Sequence, residues 1–350
     1  MNITLTYPFT AIVGQERMKL ALLLAVVNPR IGGVLIRGEK GTAKSTAVRG
    51  LTALLPEIEV VRGCHYGCDP AEPEPCADCQ ERRALGPLLP RLRRRVPLIN
   101  LPVGATPDRV LGRLDPERTR LEGVPCFQPG LLAQANRGIL YIDEVNLLDP
   151  YLSAVLLDAA AAGVNYVERD GFSIAHPAQF ILVGTMNPEE GELRPQLADR
   201  FAMMVAVEQI TDPTEREEVV RRRIAFDADP ERFIATWAEA EAETRATLSR
   251  ARALLPEVVM PAAMLRLIVR LCDAFHVDGL RPDIAMHRVA LAHAAYHGRP
   301  RVTPEDVRLA AELVLPHRQR PCRPSPPRLD EARVEAVVQE VMAEMVAPTP

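Results

Sequence analysis

No apolar run in this 350-residue chain is long enough to cross a bilayer. The best candidate, Ala21–Val27, is closed off by Lys19 on one side and Asn28-Pro29 on the other. The chain opens without a signal-peptide pattern. These absences imply a cytoplasmic address and, with it, reduced thiols. The charge balance also does not suit a nucleic-acid motor. The formal net charge is −4 and no basic stripe is present; the short run Arg91–Arg95 reads as a solvated face. The length allows two or three domains and ample core.

What is present is a phosphate-binding layout. The apolar run Gly33–Ile36 reads as a buried strand and breaks at Gly38 into the turn Gly38-Glu39-Lys40-Gly41-Thr42-Ala43-Lys44-Ser45-Thr46, which delivers Lys44 and Ser45 to the start of a helix. Backbone N–H groups and the positive helix end cradle phosphate oxygens, the Lys neutralises them, and the hydroxyl reaches Mg²⁺. A nucleoside triphosphate is the implied ligand. Ala43 stands where the usual pattern has Gly. If that position requires φ > 0, its Cβ costs roughly 1 kcal/mol.

Three further segments fit the same chemistry. The run Gly138–Ile142 is a buried strand that releases Asp143 and Glu144 at its end, one acid to share Mg²⁺ with Ser45 and one to polarise water. Phe180–Met186 is a second such strand, ending in Asn187, which could orient that water or sense the γ-phosphate. The run Arg194–Phe201 carries an Arg that could act on a neighbour.

Four of the seven cysteines fall at Cys64, Cys68, Cys76 and Cys79, spaced C-x₃-C-x₇-C-x₂-C in a Pro-rich loop. Thiols this close, in a reducing compartment, read as a metal site, with tetrahedral Zn²⁺ and an iron–sulfur cluster as the rival occupants. His65 reads as a neighbour of the site, and Cys126, Cys272 and Cys322 carry no assigned role.

Residues 1–210 alternate strand and helix patterns, which predicts an α/β domain, a parallel sheet with helices on both faces, interrupted by the Cys-rich insert at 63–80. Connecting helices are expected over 211–245, an all-helical unit over 246–318, and a Pro-rich arm with a final helix over 319–350. Asn165-Tyr166-Val167 and Gly171-Phe172-Ser173-Ile174 around Glu168-Arg169-Asp170 fit a β-hairpin. Thr303-Pro304-Glu305-Asp306 predicts a helix start. His287, His293 and His297 share a helix side, yet no carboxylate or Cys joins them in sequence, so lid packing is expected. The stripe Val334, Val337, Val338, Val341 and Met342 could dock on the helical unit or on a neighbouring subunit.

The order of these motifs resembles the AAA+ ATPases. The wording of FTAIVGQERMKLALLLAVVNP, GEKGTAKST, FQPGLLAQANRGILYIDEVNLL, VERDGFSIAHPAQFILVGTMNPEEGELRPQLADRF and DGLRPDIAMHR resembles the small, I-type ATPase subunit of magnesium chelatase over about residues 9–320. The resemblance implies an AAA+ P-loop NTPase domain followed by a helical lid. It implies ATP and Mg²⁺ as cofactors, with Glu144 and Asn187 as catalytic base and first sensor. Arg200 matches the finger that reaches the neighbour's ATP, and Arg281 matches the second sensor, which folds the lid onto the phosphates. It also implies a ring of copies, expected to be a hexamer, that drives insertion of Mg²⁺ into protoporphyrin IX for (bacterio)chlorophyll. The implied partners are a D-type subunit with a von Willebrand A domain and a large porphyrin-binding H-type subunit, with no nucleic acid and no membrane insertion. The Cys-rich insert departs from the best-known I-type subunits and resembles cobalt chelatase-like relatives. Two alternatives therefore stay open: a cobalt chelatase-like ATPase of cobalamin biosynthesis, and a MoxR-like remodelling ATPase with a von Willebrand A partner.

Overall fold

A computed structural model describes residues 5–86, 88–123, 126–169, 172–319 and 329–346. At its centre are five strands: β1 (Gly33–Gly38), β2 (Leu98–Leu101), β3 (Ile139–Ile142), β4 (Ile181–Met186) and β5 (Phe201–Val207). They pair in the order β5-β1-β4-β3-β2, and every pairing is parallel. β3 and β4 are buried along their whole length, as continuous apolar runs demand when both sheet faces are covered. Helices Glu16–Val27 and Lys44–Leu54 pack on one face, with Leu22, Leu24, Val48 and Leu51 fully buried.

Because all strands run the same way, their carboxyl ends share one edge. The turn after Gly38, Asp143-Glu144 after β3 and Asn187 after β4 are all released there. Arg200 precedes Phe201, which pairs with Gly33 at the other edge. The Phe201 ring fills a hole that exists only because Gly33 and Gly184 lack side chains. A Cβ on Gly33 would lie 2.7 Å from the ring, and one on Gly184 would lie 3.0 Å away.

Two hairpins project from this frame. One pairs Gly112–Leu114 with Phe127–Pro129 and carries helix Pro116–Glu122 at its tip. The other pairs Val164–Arg169 with Phe172–Pro177, as the sequence pattern suggests; its turn residues Asp170 and Gly171 lie outside the described residues. The Arg-rich run is not only a solvated face. Arg91–Arg94 forms a strand antiparallel to Ile58–Val61, where Arg91 and Arg93 stay exposed and pair with Glu59 at 3.3 and 3.4 Å.

Beyond β5 the regular elements among the described residues are helices. Ala238–Leu254, Ala262–Ala274, Arg281–Tyr296 and Pro304–Val314 share one apolar core with the sheet's inner helices. The last of these starts where Thr303 predicted: the Thr303 backbone N–H and hydroxyl both donate to the Asp306 carboxylate, at 2.7 and 3.0 Å. A carboxylate does join the histidines, contrary to the sequence reading, because Asp306 arrives from the next helix. It accepts from His293 at 2.6 Å and bidentately from Arg299 at 2.6 and 2.7 Å. Burial alone would raise the Asp306 pKa, but these bonds outweigh it and hold the carboxyl at about 2. All its lone pairs serve packing. The final helix Glu331–Val346 lays Val334, Val338 and Val341 on the Ala262–Ala274 helix, with Arg270 and Arg308 paired to Glu344 and Glu335. The Pro-rich arm 320–328, with Cys322, lies outside the described residues.

The helical unit is fastened to the sheet by Arg318, whose side chain is 3 % exposed. It donates to Asp199 Oδ1 and to the carbonyls of Asp199, Phe201, Ala202 and Val314. Beside it His317 Nε2 donates to the Phe201 carbonyl at 2.9 Å, while Nδ1 is buried without a partner. Burial, then the adjacent Arg318, lowers the His317 pKa to about 3. The unfolded chain therefore takes up a proton first as pH falls. Stability from this group is complete above about 6.5 and is lost at about 1.4 kcal/mol per unit below it. Urea denaturation at pH 7 and pH 5 should show the native chain losing about 2 kcal/mol more than His317→Gln, which keeps a donor but does not titrate. Equal losses would remove His317 from this role.

Candidate nucleotide site and metal centre

The turn after β1 keeps the shape its sequence implies. Gly41 sits at φ +84° and Ala43 at φ +61°, so the non-glycine residue does occupy the left-handed region. Thr42 Oγ1 donates to the Glu39 carbonyl at 2.9 Å, tightening the turn. Ala43 hands over directly to the helix Lys44–Leu54, whose first N–H groups face the loop, with Ser45 and Thr46 in its first turn. The Lys44 ammonium donates to the carbonyls of Gly38 and Glu39. Burial pushes its pKa down, and the charges of Asp143, Glu144, Glu190 and Glu39 oppose that shift. This is a cation held among carboxylates at the mouth of a backbone cradle, where a polyphosphate would replace them.

Asp143 is held by two hydroxyls at the same oxygen: Tyr141 donates to Oδ1 at 2.9 Å and Thr185 at 2.6 Å. Burial keeps the Tyr141 phenol protonated, raising its pKa. Thr185 Oγ1 also accepts from the Glu144 backbone N–H at 3.2 Å, which helps hold Glu144 at φ +56°, a strained setting for a non-glycine residue. Glu144 faces Lys40, 3.7 Å away, and Lys40 pairs more closely with Glu190 at 2.5 Å. The Asn187 amide accepts from the Glu189 N–H and donates to its carboxylate, both at 3.3 Å. Sequence reading found Asp143, Glu144 and Asn187 but missed Tyr141 and Thr185. The signal was there: each lies two residues before a functional residue and so shares its strand face.

Beside the loop lies a cavity of about 350 Å³, lined by Tyr7, Ile12, Val13, Ile210, Val219 and Val220 and by the loop itself. It is mostly apolar, with Gln15, Gln209, Arg216 and Arg223 also on its lining, and it is adjacent to the phosphate cradle, which suits a nucleotide base. A larger cleft of about 650 Å³ runs from Gly14 to Glu312. It does not include the loop's phosphate-facing residues, so the smaller cavity is the better base pocket. Its lining comes from three separated segments, and no local pattern could have revealed it.

The two arginines stand elsewhere. Arg200 pairs with Asp158 and donates to the Ala154 carbonyl at 3.3 Å. Arg281, 62 % exposed, pairs with Asp199 at 3.0 Å. Arg281 is therefore held at Asp199, the residue before Arg200, at the amino end of β5. The reason is geometric: the helical unit is bolted through Arg318 to the amino end of β5, roughly 20 Å along the strand from Gly38.

The four insert cysteines come together. Their sulfurs all lie within 4.8 Å of one another, and Cys68, Cys76 and Cys79 are buried. The all-thiolate donor set and its closeness fit a metal. Cys126 and Cys272 lie apart from the cluster: the Cys126 thiol donates to the Glu122 carboxylate at 3.1 Å and the Cys272 thiol to the Met286 sulfur at 3.7 Å.

Two measurements test this geometry. Ala43→Gly relieves a left-handed alanine and should stabilise the fold by about 1 kcal/mol in thermal denaturation; a destabilised variant would contradict the strain. Thr185→Val removes the hydroxyl shared by Asp143 and Glu144 while keeping its shape, and should raise the Mg²⁺ concentration needed for nucleotide binding roughly tenfold or more. An unchanged requirement would mean that Thr185 does not position Asp143.

Comparison with known proteins accords with this geometry. A profile described as "Magnesium chelatase, subunit ChlI" matches residues 121–203, and one described as "AAA lid domain" matches residues 265–341. The "Magnesium-chelatase subunit ChlI homolog" of Methanocaldococcus jannaschii is 52% identical over 334 residues, covering 95% of this chain and 91% of that protein. The "Magnesium-chelatase 38 kDa subunit" of Acidiphilium rubrum is 52% identical over 338 residues, covering 96% of each. Among solved structures, a cryo-EM-based complex between subunits BchI and BchD of magnesium chelatase is 46% identical, with a TM-score of 0.54, covering 91% of this chain and 98% of that one. Parallel five-stranded sheet, phosphate loop, helical lid and relatives thus agree, and the chain belongs to the magnesium-chelatase subunit ChlI family of AAA+ ATPases.

Proposed function

We propose that this chain is the ATP-hydrolysing motor subunit that drives insertion of Mg²⁺ into protoporphyrin IX in (bacterio)chlorophyll biosynthesis, working as a ring whose ATP sites lie between neighbouring copies. The observation that carries the shared site is the placement of Arg200. It stands at the amino end of β5, about a strand length from Gly38 of its own chain, and cannot reach a γ-phosphate held there. In a ring the same edge faces the next copy's loop. Arg281, beside it, would serve that same neighbouring phosphate.

The division of labour follows from charge. Gly38–Thr46 would bind the triphosphate through backbone N–H groups and Lys44, and Ser45 and Asp143 would hold Mg²⁺, which neutralises phosphate charge when bound. Glu144 would take the proton of the attacking water and Asn187 would orient that water. Arg200 would stabilise the charge that develops as the bond breaks, so hydrolysis waits on assembly. Residues 1–210 would act as the motor and 246–318 as the lid that links copies. The proposed partners are a D-type subunit with a von Willebrand A domain and a large porphyrin-binding H-type subunit, and the ring is proposed to be a hexamer. The BchI–BchD complex among the relatives' structures supports the first of these. Cys64, Cys68, Cys76 and Cys79 are proposed to hold Zn²⁺ or an iron–sulfur cluster.

Arg200→Ala should bind nucleotide normally yet lose turnover by about 10³-fold or more. Lys44→Ala should fail to bind. Mixed together, the two should recover part of the ATPase rate, because the intact Arg200 of one copy completes the intact loop of the other. A mixture as inactive as its components would sink the shared site. The substrate is tested with the H- and D-type subunits of the same source, by the fluorescence of Mg-porphyrin. Its ATP-dependent appearance, lost in Glu144→Gln, is the expected outcome. Turnover without porphyrin metallation would reject magnesium as cargo.

A further inference from the structure

We propose that Cys64, Cys68, Cys76 and Cys79 hold a single tetrahedral Zn²⁺ ion, not an iron–sulfur cluster. We further propose that this ion braces the knuckle on which the Val164–Pro177 hairpin and the entry to β3 are seated. The inference does not depend on the cargo or on ATP hydrolysis.

The sulfur spacing decides nuclearity. Zn–S bonds of about 2.3 Å place the four sulfurs of a tetrahedron about 3.8 Å apart. Here Cys64 and Cys76 sulfurs are 3.7 Å apart and all four lie within 4.8 Å. A four-iron cluster holds its thiolates on a larger tetrahedron, with edges on the order of 6 Å, and these sulfurs are too close to enclose one.

The insert also needs an ion to be a folded object. Between Val61 and Leu89 its buried core consists of those two residues and the thiols Cys68, Cys76 and Cys79, with Cys64 and Tyr66 packed alongside. A segment of fewer than about 40 residues does not build a sufficient core unaided. The Cys76 N–H donates to Cys68 Sγ at 3.4 Å, and Cys76 and Cys79 occupy the cap and first turn of helix Ala77–Leu85. Four thiolates around Zn²⁺ leave a charge of −2. The Arg94 guanidinium packs on Gly67 within the knuckle, its Nε buried without a partner among the described residues.

The knuckle's outer contacts give the ion its purpose. Tyr66, between the first two thiols, stacks on His176 of the hairpin with ring centroids 4.9 Å apart. The Tyr66 carbonyl accepts from Asn136 at 2.8 Å, and Asn136 in turn accepts from the Gln179 N–H. Arg137, the residue before the Gly138 that leads into β3, pairs with Asp69 at 2.7 Å and donates to the Gly67 carbonyl. One closed-shell ion, with no redox chemistry of its own, would thus brace two elements that lie apart in sequence.

The test uses the full chain, purified under reducing conditions and analysed by elemental mass spectrometry. About one zinc per chain is expected, and the Co²⁺-substituted protein should show the intense visible bands of tetrahedral thiolate coordination. Iron with acid-labile sulfide, or no metal at all, would overturn the proposal. Hydrogen exchange then tests the brace. Extracting the ion with a thiol reagent should speed exchange at 137–142 and 164–177 by about tenfold or more, leaving 44–54 unchanged. Tyr66→Leu, which keeps every thiol, should retain zinc yet loosen 164–177 alone. Unchanged hairpin exchange in both experiments would reject the brace.

Discussion

Everything in this molecule follows from the parallel pairing of five strands. Parallel strands send all their carboxyl ends to one edge, so a backbone cradle, two acids and an amide from three separate crossovers converge without any long loop to carry them. The same constraint sends the residue preceding β5 to the far edge. A chain built this way gathers the candidate phosphate-site residues at one edge and carries Arg200 at the other. In the ring proposed above, the cation would come from another copy, a requirement that stems from sheet direction rather than from any one side chain.

The second organising interaction is the buried guanidinium of Arg318. A charge so deeply enclosed is tolerated because Asp199 and four carbonyls satisfy it. Asp199 is simultaneously the partner of Arg281 and the neighbour of Arg200 in sequence. Arg318 and Arg281 of the helical unit thus meet at Asp199, the residue before Arg200.

Much of this was legible in the sequence, where the information is local. Buried parallel strands are continuous apolar runs, and each here ended in the residue its chemistry needed: Gly38, Asp143, Asn187. The hairpin, the Thr303 helix start and the four-thiol cluster were equally readable, since spacing alone encodes them. What was not readable depends on distant segments meeting. Where Arg281 sits is decided by Arg318, and the base pocket draws Ile12 and Val219 from opposite ends of the domain. Asp306 reaches His293 from a different helix. Tyr141 and Thr185 look like ordinary strand residues until the strands pair and their hydroxyls turn out to share a carboxylate.

The Phe201 ring, lodged between Gly33 and Gly184, has a mechanical meaning. It touches β1 and β4, the two strands whose far ends carry the phosphate cradle and Asn187. Close-packed interiors are barely compressible. A sub-ångström slide of β4 would find little room around the Phe201 ring and would press on β5 and the arginine that precedes it. In the proposed ring the sheet would then act as a push-rod: what one copy holds at its upper edge would be felt at its lower edge, where the next copy's site would begin, and the ring would acquire a direction in which messages travel.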